Sequence, residues 1–100
     1  MTTLTVDIRL SKAESVDVTT DELIVALQDG RTVSVPLAWY PRLLHGTDEE
    51  RKQWRFIGAG EGIHWEKLDE DISIEHLLAG IPSNESQKSL QRWLDARETP

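Results

Sequence analysis

The chain has no cysteine, a single methionine and no long apolar run. Without cysteine there is no disulfide, no thiolate metal site and no thiol nucleophile, and a reducing, cytoplasmic setting is expected. No stretch approaches the roughly 20 apolar residues that a membrane span needs. The opening segment, MTTLTVDIRL, has neither a basic start nor an apolar core, so it does not read as a signal peptide. Aromatic residues are sparse: one tyrosine, one phenylalanine and four tryptophans. A chain of 100 residues buries only about two thirds of its unfolded surface, so most of those indoles are expected to be structural.

Positive charge is scarce too. Eleven lysines and arginines face eighteen carboxylates, for a net charge of −7. The deficit is uneven: −3 over residues 1–40, −4 over 41–80 and zero over 81–100. Such a chain repels phosphate, which disfavours broad binding to nucleic acid. A local basic face is expected only at the C-terminal end.

Familiar chemical motifs are also missing. No two of His45, His64 and His76 stand four apart, and HExxH does not occur. GxSxG is absent, and Ser83, Ser86 and Ser89 cluster where serine caps a helix. GAGEG (58–62) resembles a phosphate loop, but that loop needs a following helix whose N-terminus holds the phosphate. Strand-like IHW follows instead, so a glycine turn is expected.

What is present is a pattern of short elements. LTVDIRL (4–10) alternates with period two and predicts a strand. SKAES (11–15) reads as a polar connection and VDVTT (16–20) as a short strand. ELIVALQDGRTVSVPL (22–37) predicts a hairpin turning at 28–31, since Asp29-Gly30 favours a type I′ turn. Residues 39–45 and 48–54 read as two short helices around Gly46, with Thr47 and Glu50 at capping-box spacing. RFIGAGEGIHW reads as strand, turn, strand, and EKLDED (66–71) as a solvated turn. Ser73 is expected to cap a short helix closed by Gly80, and Ser83 to cap the last one. The order predicts a single α+β domain with a small, mainly antiparallel sheet. Its body spans 1–80 and a C-terminal helix over 81–97 packs on it.

Four sites compete. Trp39 and Tyr40, with His64 and Trp65, are the candidate partner-binding residues, because these aromatics favour interfaces. Lys88 and Arg92, four apart on the last helix, are the candidate nucleic-acid contacts; a solvated outer face is their plainer account. His64 with Asp69 and Asp71 is the candidate ligand or metal site. The simpler reading there is a histidine hydrogen-bonded on a strand. The run Glu66, Asp69, Glu70, Asp71 is expected in one wet turn, where carboxylates do not acquire the contrasting environments that acid–base catalysis needs. No catalytic, cofactor-binding or metal-binding residue is assigned.

Residues 29–80 carry a further signal. DGRTVSVPL, YPRLL and TDEERKQWRFIGAGEGIHWEKLDEDISIEHLL together resemble a bacterial domain-of-unknown-function family, number twenty-four forty-two. The resemblance runs from about Val16 to Gly80 and is densest in GIHWEKLDEDISIEHLL. It implies a small α+β domain and brings no catalytic residues with it. Some members of the family are joined to a helix-turn-helix segment; others sit beside a second small domain in an arrangement similar to a toxin–antitoxin pair. Only one helix is expected beyond Gly80 here, too little for a helix-turn-helix. The expectation is a non-enzymatic interaction module with a protein partner, antitoxin-like or regulatory, whose basic surface suits an acidic domain. A nucleic-acid accessory is the alternative.

Overall fold

The structure, a computed structural model, describes residues 11–98; the strand expected over 4–10 lies outside them. Two antiparallel three-stranded sheets share one core. The first runs β1 (Ala13–Val18), β2 (Glu22–Leu27), β3 (Thr32–Pro36), and the second β4 (Trp54–Ile57), β5 (Gly62–Trp65), β6 (Glu70–Ser73). Between them lie α1 (Pro41–His45) and α2 (Asp48–Lys52); α3 (Ile74–Leu78) and α4 (Gln87–Glu98) follow. The expected α+β class and antiparallel pairing are observed, with the strands divided over two sheets.

Period two explains the first sheet. Leu23, Val25 and Leu27 are buried on one face of β2, and Val35 and Val33 pair across from Leu23 and Val25. β1 begins at Ala13, inside the segment expected to be a connection. A register shift between Ala13 and Ser15 lets Ala13, Val16 and Val18 all pair with core-facing residues despite their uneven spacing. That bulge broke the alternation in the sequence. The 28–31 turn differs from type I′ as well. Only Gly30 has positive φ (95°), and the Leu27 amide donates to the Arg31 carbonyl. This is a three-residue loop with glycine in the left-handed position.

Leu37–Trp39 forms a 3-10 turn before α1, so the first helix starts at Pro41 rather than at 39. α2 opens on the expected capping box: the Glu50 amide donates to Thr47 Oγ1, and the Thr47 amide donates to Glu50 Oε1. It ends at Lys52, because Trp54 already belongs to β4. Arg51 donates to the carbonyls of Leu43 and Leu44 and so satisfies the C-terminal end of α1.

The second sheet holds two surprises. EKLDED is a turn only as far as Asp69; Glu70 and Asp71 belong to β6. Within the turn Leu68 is fully buried, and a Cβ on Gly46 would stand 2.9 Å from its methyl carbons. Gly60, at the centre of GAGEG, ties the sheets together. It is buried with φ +103°, and its carbonyl accepts the Ala13 amide at 2.8 Å. Ser73 caps α3 as expected. At α4 the cap is Ser86, whose Oγ accepts the Ser89 amide, while Ser83 Oγ accepts the Glu85 amide in the preceding turn.

α4 has no fully buried residue, yet it is firmly attached. Trp93 packs on the core, with the guanidinium of Arg42 5.2 Å from its ring centroid and that of Arg97 at 4.6 Å. Each arginine also forks onto a carboxylate. Arg42 binds Glu85 on the approach to α4, and Arg97 reaches from α4 to Glu50 on α2.

Candidate interaction surface

Pairing in the second sheet separates neighbours in the sequence onto opposite faces. Ile63 and Trp65 point into the core with Ile72, and Trp54 and Phe56 pair opposite them on the same side. On the outer side Arg55, His64 and Asp71 form one cross-strand row, and Ile57, Gly62 and Ser73 form the next. Antiparallel sheets commonly keep one such face in water.

His64 is the centre of this face. Its Nδ1 meets Asp71 Oδ1, and its Nε2 meets Glu66 Oε2 at 2.6 Å. The hydrogen bond to Asp71, then that to Glu66, holds the imidazole above its ordinary pKa. Reciprocally, His64 lowers that of Glu66. Both carboxylates are mainly solvent-exposed, so the trio is a charged bracket and not a desolvated reaction centre. Glu66 joins His64 although EKLDED reads as a turn; its place two residues after His64, at the strand end, is the signal in the sequence.

The other expected site residues disperse. Asp69 turns away from His64: it sits at φ 50° and pairs with Arg42 through its carbonyl and carboxylate. The proposed His64–Asp69–Asp71 trio is therefore not assembled. Among the described residues no three His, Asp or Glu side chains are arranged to hold a metal ion. Trp65 is fully buried and its indole N–H donates to the Arg51 carbonyl at 3.0 Å. Tyr40 is buried, and burial pushes its phenol up to about 12. Trp39 is half-buried against the core. Of the four aromatic and histidine candidates, His64 alone stands on the outer face of the second sheet, and Tyr40 and Trp65 are core residues.

A cleft of about 200 Å³ lies on the other side of β6, between Tyr40, Glu70, His76 and the Ile81–Asn84 segment. Glu70 points inward there because it pairs with Trp65. One of its oxygens accepts the Asp71 amide; the other is buried and has no partner among the described residues. Burial raises its carboxyl to about 7. The second oxygen is buried although Glu70 lines the cleft, so the raised carboxyl couples the fold's stability to pH.

Lys88 and Arg92 lie exposed, one helical turn apart on α4. Arg42 does not add to this basic face, because it is committed to Glu85, Asp69 and Trp93. Two cations remain as the footprint.

Two solved structures that resemble this chain are of uncharacterised proteins. No curated protein matches it. A crystal structure of a protein of unknown function from Rhodospirillum rubrum shares 30% identity over 77% of this chain and 95% of its own, with a TM-score of 0.65. The solution structure of an uncharacterised protein from Chromobacterium violaceum shares the fold, with a TM-score of 0.64 at 22% identity, over 89% of this chain and 78% of its own. The family model described as "Protein of unknown function (DUF2442)" matches residues 13–83, which include both sheets, Gly60 and the His64 bracket, and the chain belongs to that family.

Proposed function

We propose that this chain is a non-enzymatic, cytoplasmic protein-interaction module that presents the outer face of its second sheet to a protein partner. The observation that carries the reading is the outer-face row Arg55–His64–Asp71, in which the exposed carboxylates of Asp71 and Glu66 bracket a largely shielded His64. Preorganised charged side chains at a surface favour recognition because little is left to order on binding. The exposed Ile57 adds apolar area next to the row, over the gap left at Gly62. Residues 61–76 carry six carboxylates against one lysine, so a partner with a basic surface is favoured. A partner encoded by a neighbouring gene, in the manner of an antitoxin with its toxin, fits the paired arrangement implied by the family resemblance.

Affinity capture from the encoding organism tests this, comparing the native chain with Glu66→Lys combined with Asp71→Lys. A partner retained by the native chain and lost from the double variant supports the reading. Equal capture by both, or capture by neither, refutes it for this face.

A further inference from the structure

We infer that β4 is a docking edge that accepts an extended segment of a partner protein as an additional antiparallel strand. The inference deepens the interaction reading and rests on it. The Ile74 amide donates to the Glu61 carbonyl, which sets the phase of the β5–β6 ladder. Ile63 and Trp65 then bond to β6, while Gly62 and His64 bond to Ile57 and Arg55 of β4. The N–H and C=O groups of Trp54 and Phe56 therefore project away from β5. No strand among the described residues lies beside them.

Proteins blunt their free strand edges to avoid stray pairing, and the other three edges here are blunted. β3 ends in Pro36, which has no N–H. β1 carries the bulge between Ala13 and Ser15. In β6 the Asp71 amide is taken by the Glu70 carboxylate, and the strand passes directly into α3. β4, with sequence WRFI, is short and carries one exposed charge, Arg55, but contains no proline, glycine or bulge, and no described side chain takes the amides of Trp54 and Phe56.

Its side chains define what would fit. Trp54 and Phe56 lie half-buried on one side, with ring centroids 5.0 Å apart. Arg55 is exposed on the other, where its charge helps His64 to lower the pKa of Glu66 without a close ion pair among the described residues. A shallow groove of about 240 Å³ lies over the Arg55–His64 pair at the start of β4, lined by Gln53, Trp54, Arg55, His64 and Glu66. An added strand would exchange hydrogen bonds opposite Trp54 and Phe56. Opposite Arg55 it would form the non-bonded pair, where facing side chains approach most closely. The segment that fits therefore carries a carboxylate between two apolar residues in alternation. A second copy of β4 centred on the same position fits poorly, since it would place arginine opposite arginine.

Amide hydrogen exchange with the full chain and a capped pentapeptide, Lys-Val-Glu-Val-Lys, at roughly millimolar concentration tests this. The Trp54 and Phe56 amides should slow at least about tenfold, roughly the protection expected at tenfold saturation of the site. The same peptide with lysine for glutamate should protect neither, and Arg55→Glu should reverse that preference. No protection by either peptide overturns the inference. So does protection already present without peptide that grows with chain concentration, since a second copy would then hold the edge. Partner capture that depends on Glu66 and Asp71 but is indifferent to Arg55→Glu would overturn the docking edge while leaving the interaction reading in place.

Discussion

Gly60 and Gly30 both adopt positive φ, at +103° and +95°, yet their surroundings are opposite. A Cβ on Gly30 meets nothing within 4 Å, whereas one on Gly60 would stand 2.6 Å from the Ala13 carbonyl oxygen. Gly30→Ala should therefore cost only the backbone strain, about 1–2 kcal/mol. Gly60→Ala should cost that plus the separation of β1 from the 58–61 turn, about 3 kcal/mol or more. Paired denaturant melts check the difference; equal costs would mean that the Ala13 contact yields easily. The same pair of glycines shows what the sequence makes legible. That each would mark a turn follows from residue type alone, while the joining of two sheets by one of them depends on a contact between residues 13 and 60. His64 and Trp65 teach the same lesson. Adjacent on a strand, they had to face opposite ways, but reading them as one aromatic surface ignored the period of two. Once β5 is placed between β4 and β6, burial assigns Trp65 to the core and His64 to the outside.

At the scale of elements, α4 is the informative case. The sequence shows helical spacing at Leu90, Trp93 and Leu94, whereas the start of the helix is not legible there, because three serines offer equivalent caps. Ser83 lost that role since its backbone N–H donates to the Trp39 carbonyl, which fixes the segment before the helix begins. What attaches α4 was hidden for a different reason: its arginine clamps join residues 42 with 85 and 50 with 97, and long-range ion pairs leave no local pattern. The Arg42–Glu85 pair is largely shielded, with side chains 16% and 10% exposed, so it exceeds an ordinary surface salt bridge. Arg42→Ala should destabilise the chain by about 2 kcal/mol. Its signature should be faster amide exchange in α4 with the β2 amides still protected. Arg42→Lys should recover little, since lysine supplies neither the two-pronged contact to Glu85 nor the flat guanidinium over Trp93. Full recovery by lysine would show that charge alone holds the helix.

For the whole molecule, the shifted groups divide into two sets that bound a pH optimum. Arg97 lowers Glu50 to about 2, and Arg42 and Arg31 lower Glu85 and Asp29. These carboxylates stabilise the fold above their unfolded pKa values and lose that contribution as the pH falls through the folded ones. Glu70 behaves oppositely. Burial raises it from 4.5 to about 7, so between those values the folded state holds more protons than the unfolded state, and stability declines as the pH rises. His64, raised by Asp71 and Glu66, adds to the same slope: its contribution is complete below the unfolded value of 6.5 and is lost as the pH climbs through the folded one. Stability should thus peak near pH 5–6 and fall toward pH 8, with Glu70 contributing roughly 1–2 kcal/mol of the decline after allowance for its partial exposure. Net negative charge rises over the same interval, and self-repulsion would mimic part of the trend. Glu75→Gln, which removes one exposed carboxylate from α3, controls for that. Thermal melts at pH 5.5 and pH 8 should show Glu70→Gln losing markedly less stability than the native chain, while Glu75→Gln tracks it. If both variants flatten the profile equally, overall charge governs the decline and the buried oxygen of Glu70 does not.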